Sequence, residues 1–259
     1  QQETKFHRMF EFGKVLSSLR KQIDKDLTQP GFPESKIIAT VIGLMDRTFI
    51  RVGSEGYEKL YGSYGLTTLK NNHVDIKGDQ ITFSFKGKKG IYHKIHLKSK
   101  KFAKSVRQCK AIPGKELFQY INDKDEPCRV DSGQVNQYLK DVLGADFTTK
   151  DFRTWAGTLS MLQFFRQAPP CNTKEDYQRS INSALQYVSS LLGNTVAVCR
   201  KYYVHPEIMR MYREDELKHV LSPKPSDQKR EFGLFAEEEM LMSLLKVLQR
   251  SKVVLAVAN

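Results

Sequence analysis

The sequence predicts a mainly α-helical protein with one small antiparallel three-stranded β-sheet. Over most of the chain, apolar residues recur every three or four positions, the period of helices that bury one face. Between residues 67 and 97 the period changes to two, which is typical of half-buried strands. The chain has 259 residues, 40% of them hydrophobic, enough for a sizeable core in one large domain or two modest ones.

Two helices are predicted over residues 5–50. The first has an apolar face, and Pro and Gly in QPGFP at 29–33 end it. The second begins near Glu34 and leads into FIRVG at 49–53. The face of the first helix comprises Met9, Phe12, Leu16, Leu19, Ile23 and Leu27, and that of the second comprises Ile37, Ile38, Val41, Leu44 and Met45.

Three strands follow, joined by two turns. His73–Ile76 is the first, and ITFSF at 81–85 alternates apolar and polar residues as the second. Residues 91–97 alternate again as the third. The turns are KGD at 77–79 and KGKKG at 86–90, so the second hairpin has a lysine-rich tip.

Helical periodicity returns beyond Lys101. A polar linker, SPKPSDQKRE at 222–231, is expected to be mobile, and the helix after it has an acidic start and a basic end in Arg250 and Lys252, which suits the helix dipole. The predicted helices are 114–122, 132–143 (with Ser132 as N-cap and Gly144 as its end), 150–166, 174–192, 197–203 and 235–250.

Charge indicates the kind of partner. The chain has 42 Lys and Arg against 29 Asp and Glu, a net charge of +13. This excess favours a polyanion, with nucleic acid first and anionic lipid second, because no basic amphipathic anchor stands out. No apolar run reaches about 18 residues, and the start QQETKFHRMF has no hydrophobic signal segment, so we expect a soluble intracellular protein.

The cysteines do not indicate a metal site. They are widely separated and form no CxxC pair, which argues against zinc and favours reduced thiols. They are Cys109, Cys128, Cys171 and Cys199.

Four short segments contain candidate functional residues. Each residue alone has an ordinary explanation, such as a surface ion pair, a solvated lysine or a helix cap. Their order is what stands out: an arginine, a hairpin lysine, a KxxR pair that shares one face of a helix start, and a Leu-Gly-Asn followed by tyrosines. The candidates are Arg51, Lys88, Lys150, Arg153, Asn194, Tyr202 and Tyr203.

In this combination the chain resembles the type IB DNA topoisomerases of the small poxvirus and bacterial kind. The resemblance covers about residues 35–215 and implies the catalytic-domain fold shared by tyrosine recombinases and type IB topoisomerases. The matching motifs are FIRVG at 49–53, YGLTTLKNNHV at 64–74, FKGKKG at 85–90, KDFRTWAGT at 150–158 and GNTVAVCRKYYVHP at 193–206.

The resemblance implies a role for each matching residue. Tyr203 takes the place of the nucleophile, ten residues past Gly193, and Tyr202 fills the variable place before it. Asn194 stands where the poxvirus form has His, and Val196 where the family usually has Pro. The matching cations are Arg51 and Arg153 as catalytic arginines, with Lys88 and Lys150 as catalytic lysines.

The family normally has a β-rich clamp domain before the first helix. We expect residues 1–259 to be the catalytic domain without it, with helices at 5–50, the sheet at 67–97, a helical part at 101–215 and a carboxyl-terminal linker and helix at 216–259.

The implied reaction is a transesterification that forms a 3′-phosphotyrosyl link and frees a 5′-hydroxyl, with no ATP, metal or cofactor. Guanidiniums suit the charge that develops on the nonbridging oxygens, so Arg51 and Arg153 take that role and Asn194 adds a neutral donor. A lysine can protonate the leaving oxygen as general acid, with Lys88 the first choice and Lys150 the second.

Two alternatives stay open. Tyrosine recombinases share this chemistry but usually carry HxxR where this chain has Lys150 and Arg153, and they act as tetramers on paired sites. A non-catalytic basic DNA-binding domain is the other. The topoisomerase interpretation predicts a monomer that acts on supercoiled duplex DNA, without a membrane partner, in cytoplasm, nucleoid or virion.

Overall fold

The computed structural model describes residues 2–221 and 233–257. The predicted linker at 222–231 lies outside them. The helices are α1 (Gln2–Leu27), α2 (Glu34–Thr48), α3 (Glu55–Tyr61), α4 (Lys100–Ala111), α5 (Ser132–Leu143), α6 (Thr149–Gln167), α7 (Lys174–Leu192), α8 (Val196–Tyr202), α9 (Pro206–Arg213), α10 (Lys218–Leu221) and α11 (Ala236–Val257). The strands are β1 (Val74–Lys77), β2 (Gln80–Lys86), β3 (Tyr92–Lys98), β4 (Gln119–Ile121) and β5 (Pro127–Arg129).

Within residues 2–221 and 233–257, no helix combines the length and the apolar character that crossing a membrane requires.

The mainly α-helical class and the three-stranded sheet are confirmed. All the apolar residues predicted for the faces of α1 and α2 are buried. The sheet is antiparallel with order β1-β2-β3, and Phe83 lies opposite both Val74 and Ile95. Its first strand begins later than predicted, because residues 66–68 and 71–73 form short 3-10 turns.

The predicted helix at 114–122 is wrong. β4 and β5 form a two-stranded antiparallel sheet there. The turn between them is closed by the side-chain carbonyl of Asn122, which accepts the N–H groups of Lys124 (3.0 Å) and Glu126 (2.9 Å). Asn commonly stabilises turns in this way, and Asp125 completes the turn with a left-handed φ of 60°.

Several helix boundaries also differ from the prediction. The N-cap of α5 is Asp131, not Ser132, because its carboxylate accepts the N–H of Gln134 while the Gln134 side chain accepts the N–H of Asp131. α8 begins and ends one residue early, and α11 runs on to Val257, so its last turn holds no basic residue. The helices α3, α4, α9 and α10 were not predicted.

The chain divides into two compact units. We call residues 18–152 the hairpin unit and residues 1–17 with 153–259 the tyrosine unit. The expectation that residues 1–259 act as a single catalytic domain stays a prediction.

The hairpin unit has a core built on α2. This helix packs against α4, α5 and β3. Gly43 lies so close to the ring of Phe102 that an added Cβ would approach it to 2.4 Å. At the surface of the core, Arg20 donates two hydrogen bonds to the carboxylate of Asp46 (2.8 and 3.1 Å).

The tyrosine unit has a core built on α6. Trp155 packs edge-on against Phe12, with ring centroids 5.9 Å apart. Its indole N–H donates to a carboxylate oxygen of Glu238 (3.1 Å), which lies in the first turn of α11. α7 packs against α8 and α9, so α8 is held within this unit.

Candidate active site

Arg51 lies in an extended segment that follows α2. The helix ends at Thr48 because Phe49 adopts a left-handed conformation (φ 59°, ψ 13°) and its N–H donates back to the carbonyl of Met45. The segment is then held by YGLTT: the N–H of Leu66 donates to the carbonyl of Arg51 (2.9 Å). The Arg51 side chain is half-buried.

Two glycines explain why the FIRVG and YGLTT motifs occur together. Gly53 has a φ of +97°, which disfavours other residues. An added Cβ on Gly65 would lie 2.5 Å from the backbone of Gly53 and 2.6 Å from the carbonyl oxygen of Arg51. The two main chains therefore touch directly, and this contact fixes the backbone of Arg51.

Lys88 lies at the exposed tip of the β2–β3 hairpin. Its Nζ is 5.0 Å from the centroid of the Tyr57 ring, a cation–π contact. Below the tip, the N–H of Tyr64 donates to the carbonyl of Lys86 (2.8 Å), which ties the hairpin to the YGLTT segment. The hairpin position predicted for Lys88 is confirmed, and Tyr57 is a contact that sequence reasoning missed.

Tyr57 lies on α3, a helix attached mainly by charge. None of its seven residues, all of them described, is buried. Its Glu58 carboxylate binds Lys70 Nζ (2.6 Å) and the guanidinium of Arg129, and Lys70 also binds Glu116. Burial acts to raise the pKa of Glu58, but the hydrogen bonds from Lys70 and Arg129 outweigh it and the pKa is lowered. The ion pairs therefore hold the helix that carries Tyr57.

Lys150 is exposed in the first turn of α6. The start of the helix is fixed by Asp151, whose carboxylate accepts the N–H (2.7 Å) and the hydroxyl (3.2 Å) of Thr148. Lys150 belongs to the hairpin unit, as do Arg51 and Lys88. Each of these three residues is held by its own local elements.

Arg153 and Tyr203 contact each other in the tyrosine unit. The Arg153 guanidinium lies 5.1 Å from the centroid of the Tyr203 ring, and Nη2 donates to the carbonyl of Leu192 at the end of α7 (2.7 Å). Arg153 is 6% exposed. Burial lowers the pKa of its guanidinium, and the neighbouring Tyr203 acts in the opposite direction. A buried candidate catalytic arginine and the half-buried candidate nucleophile thus contact each other.

The backbone of Tyr203 is held by α6. Tyr203 is the C-cap of α8, with its N–H bonded to the carbonyl of Cys199. The Thr158 hydroxyl donates to the carbonyl of Tyr203 (3.3 Å) and accepts the N–H of His205 (3.1 Å). An added Cβ on Gly157 would lie 2.5 Å from the same carbonyl oxygen. Arg153 and Gly157 are one helical turn apart, so one face of α6 holds both the arginine and the tyrosine backbone.

Asn194 lies in the turn between α7 and α8. Gly193, with φ 57°, is the C-cap of α7, and the N–H of Asn194 donates to the carbonyl of Ser189 (3.0 Å). This is a Schellman turn, and it leaves the Asn194 side chain half-buried, two residues after the Leu192 that Arg153 binds. Val196 is the first residue of α8, where Pro is favoured but not required.

Tyr202 has a different environment from Tyr203. Its side chain is 41% exposed, and the ring is contacted by Lys201 Nζ at 5.2 Å. Of the two adjacent tyrosines, Tyr203 is therefore the one whose ring contacts Arg153. Sequence reasoning missed Thr158 and Gly157 as its supports, although both lie within the KDFRTWAGT motif that carried the resemblance.

Comparison with known proteins identifies the class. The family model described as "Eukaryotic DNA topoisomerase I, catalytic core" matches residues 1–226, and the chain belongs to this family. The predicted type IB topoisomerase resemblance and its catalytic-domain fold are thereby confirmed.

Two of the similar individual proteins are viral. The chain is similar to "DNA topoisomerase 1B" of Acanthamoeba polyphaga mimivirus, with 28% identity over 222 residues, 83% of this chain and 66% of the relative. It is 22% identical over 219 residues to "DNA topoisomerase 1B" of Vaccinia virus (strain Copenhagen), with the same coverage of both chains. The chain thus spans 66% of the length of these relatives.

Proposed function

We propose that this protein relaxes supercoiled duplex DNA by cutting and resealing one strand through Tyr203. The observation that carries the proposal is the contact between the Arg153 guanidinium and the Tyr203 ring, 5.1 Å from its centroid. This contact brings together a tyrosine and an arginine, two residue types that strand cleavage by transesterification needs. The chain that contains them belongs to the family of topoisomerase I catalytic cores.

In the proposed cleavage step, the Tyr203 oxygen attacks a DNA phosphorus. A P–O(Tyr) bond forms as the phenol loses its proton to solvent, the P–O5′ bond breaks, and the 5′-oxygen takes a proton from a lysine ammonium and leaves as a hydroxyl. One phosphoester replaces another, so the reverse step reseals the strand without ATP. While the strand is open, the downstream duplex rotates and loses supercoils.

The charged residues have separate roles in this proposal. Arg153 and Arg51 stabilise the negative charge that develops on the nonbridging oxygens, because a guanidinium offers paired donors. Asn194 adds a neutral donor. Lys88 is the first choice for the proton donor and Lys150 the second, because an ammonium can protonate a leaving alkoxide.

Trapping the covalent intermediate tests the proposal. Purified protein is mixed with supercoiled plasmid, quenched with denaturant and run on a gel that separates protein-linked nicked DNA from free DNA. We expect a linked species with a free 5′-hydroxyl, and ATP-independent relaxation at a ratio of one protein molecule per plasmid. DNA binding without any linked species would contradict catalysis, and strand exchange that requires two paired sites would indicate a recombinase.

A further inference from the structure

The YGLTTLKNNHV motif at 64–74 has two parts with different neighbours. The first, YGLTT, holds the backbone of Arg51 through the N–H of Leu66. The second contains KNNH at 70–73, in which residues 71–73 form a 3-10 turn that leads directly into β1. We call residues 70–73 the KNNH turn. No step of the proposed reaction requires this turn, so its side chains must be explained by what they support.

His73 closes the KNNH turn on itself. Its Nδ1 accepts the backbone N–H of Lys70 at 3.0 Å, so this nitrogen carries no proton. The backbone N–H of His73 donates in return to the carbonyl of Lys70 (3.0 Å). A protonated imidazole has only donors, so the charged form of His73 would point a donor at the Lys70 N–H. The first of the two hydrogen bonds would then be lost.

The ring of His73 is connected to one side of the hairpin tip. It lies edge-on against the ring of Tyr64, with centroids 4.4 Å apart. The backbone N–H of Tyr64 donates to the carbonyl of Lys86 (2.8 Å), which is the last residue of β2 and lies two positions before Lys88. A single residue, Tyr64, therefore links His73 to the strand that carries the tip.

Lys70 connects the same turn to the other support of the tip. Its Nζ binds the carboxylate of Glu58 on α3 at 2.6 Å. Glu58 follows Tyr57, whose ring contacts Lys88 Nζ at 5.0 Å. The two routes to Lys88, one through Tyr64 and one through α3, therefore both begin in the KNNH turn.

The surroundings of His73 favour its neutral form. Burial lowers the pKa of the imidazole from its ordinary value of 6.5; the nearby charge of Lys70 acts in the same direction, and Glu58 opposes both. Because the folded protein then binds this proton less readily than the unfolded chain, the stability that neutral His73 contributes is present above about pH 6.5. It is lost as the pH falls through the lowered pKa, so the turn is expected to loosen in mild acid.

Other charged residues around the turn act in the same direction. Lys110 of α4 donates to the carbonyl of Val74, the residue after His73 (2.9 Å). Further charged residues that neighbour the turn in sequence or through its contacts are Asp75 in β1, Lys86 in β2, Lys115 and Glu116 before β4, and Arg129 in β5. Most of these groups are cations, which disfavour another positive charge on the imidazole.

We propose that His73 is a positioning residue for the hairpin that carries Lys88, and that protonation of His73 releases this hairpin. With a neutral ring, the KNNH turn supports the tip from both sides. With a charged ring, the hydrogen bond to Lys70 is lost and both supports loosen. The effect on DNA cleavage rests on the proposed function, in which Lys88 is the first choice for the proton donor. The effect on the turn does not.

Amide hydrogen exchange measured by NMR tests the turn without any reaction. Protection factors, which correct for the pH dependence of exchange in an unstructured chain, are compared for Lys70 and Tyr64 between about pH 7.5 and about pH 5. We expect both to fall about fivefold in acid, the equivalent of one lost hydrogen bond. In His73→Asn they should stay constant, because the Asn side-chain oxygen is an acceptor that does not titrate.

Single-turnover cleavage of a duplex oligonucleotide tests the consequence for Lys88. Between about pH 7.5 and about pH 5, the wild type should lose about fivefold more of its rate than His73→Asn. His73→Ala has no acceptor and should be slower than His73→Asn at every pH. A substrate with sulfur at the 5′ position should remove the difference between wild type and His73→Asn in acid, because its leaving group needs no proton.

Two other histidines of the hairpin unit provide matched controls. His96 is exposed on β3 beside the Thr82 hydroxyl, and His96→Asn should keep the acid loss of the wild type. His93 stacks on Phe85 close to the tip, with centroids 5.2 Å apart, so His93→Asn tests the nearest rival. Circular dichroism in mild acid checks that each variant stays folded.

Three outcomes overturn the proposal. Equal acid losses of cleavage in the wild type and His73→Asn would remove His73 as a positioning residue. Disappearance of the acid loss in His93→Asn would assign the titration to His93. A Lys70 protection factor that does not change with pH would show that protonation does not open the turn. Absence of cleavage in every variant, with acid-sensitive protection at Lys70 and Tyr64, would contradict the proposed function and still support release of the hairpin.

Discussion

The two units present their candidate catalytic residues in opposite ways. In the tyrosine unit, Arg153 is buried, touches the Tyr203 ring and donates to a helix end. In the hairpin unit, Lys88 is exposed at a hairpin tip and rests on Tyr57, itself 47% exposed. The difference indicates that packing sets the position of the candidate nucleophile, whereas weak surface contacts set that of the candidate proton donor. Substitutions should therefore have different side effects in the two units.

The largest expected effect separates the two adjacent tyrosines. Tyr203→Phe should abolish the covalent DNA adduct, because it removes the attacking oxygen. Tyr202→Phe should keep most of it, because Tyr202 is exposed and its ring is contacted by Lys201. Denaturing gels of quenched plasmid reactions measure both. The reverse result would shift the nucleophile by one residue.

Replacing the arginines compares the units directly. Arg51→Ala and Arg153→Ala should each slow single-turnover cleavage by about 10²–10³-fold, the usual cost of removing one donor to a developing negative charge. DNA affinity should stay nearly constant. Arg153→Ala should also lower the free energy of unfolding by about 1–3 kcal/mol, because the Leu192 carbonyl loses its partner. Cleavage kinetics and urea unfolding measure these effects.

Equal losses in the free energy of unfolding for Arg51→Ala and Arg153→Ala would contradict the difference in packing between the two units. A main loss of DNA affinity would make both arginines phosphate clamps instead.

Changing the leaving atom of the DNA substrate distinguishes the two candidate proton donors, Lys88 and Lys150. Lys88→Ala should slow cleavage by about 10²-fold, as expected for loss of a general acid. A substrate with sulfur at the 5′ position should restore the rate, because a thiol has a pKa of about 8.5 and leaves without a proton. Lys150→Ala is the comparison. If sulfur rescues Lys150→Ala and not Lys88→Ala, the order of the two candidates is reversed.

Gly157→Ala tests the packing that holds Tyr203, the candidate nucleophile. Its Cβ would lie 2.5 Å from the Tyr203 carbonyl oxygen, so we expect a loss of about 1–3 kcal/mol in stability and roughly tenfold slower cleavage. Gly56→Ala in α3 is the control, because its nearest contact is 3.8 Å and Ala favours helix by about 0.5–1 kcal/mol. Chemical unfolding measures both. Equal stabilities for the two variants would remove Gly157 as a support.

The smallest expected effect concerns the surface contact of Lys88. Tyr57→Leu should slow cleavage about two- to fivefold, the equivalent of about 0.5–1 kcal/mol for an exposed cation–π contact. Tyr57→Phe keeps the ring and should restore the wild-type rate. A sulfur leaving group should remove the difference between Tyr57→Leu and wild type. If it does not, Tyr57 acts on DNA binding and not through Lys88.

Much of the fold follows from periodicity alone. The faces of α1 and α2 and the alternation of ITFSF indicate these elements, and the apolar residues on the predicted faces are buried. Short or charge-stabilised elements escape this reasoning. α3 buries none of its described residues, and Glu58 holds it through partners far away in sequence. Residues 114–122 contain enough apolar residues for a helix. The turn that the Asn122 side chain stabilises instead favours a β-hairpin.

The candidate site was predicted by motif and not by physical pattern. Tyr203 and Arg153 are 50 positions apart, and no periodicity relates them, so only the resemblance placed them together. The role of Thr158 depends on a single hydroxyl that joins two backbone groups, which sequence alone does not reveal. The glycines were the one signal of these contacts that the sequence contains, because Gly65 and Gly157 each lie against the main chain of another segment.

The close contact between Gly53 and Gly65 couples the position of the FIRVG segment to that of the YGLTT segment at 64–68. Because these two main chains are in direct contact, a ligand that displaces residues 64–68 should also displace Arg51. A fluorescent label at the nearby exposed Leu60 could then register such a motion before any strand is cut.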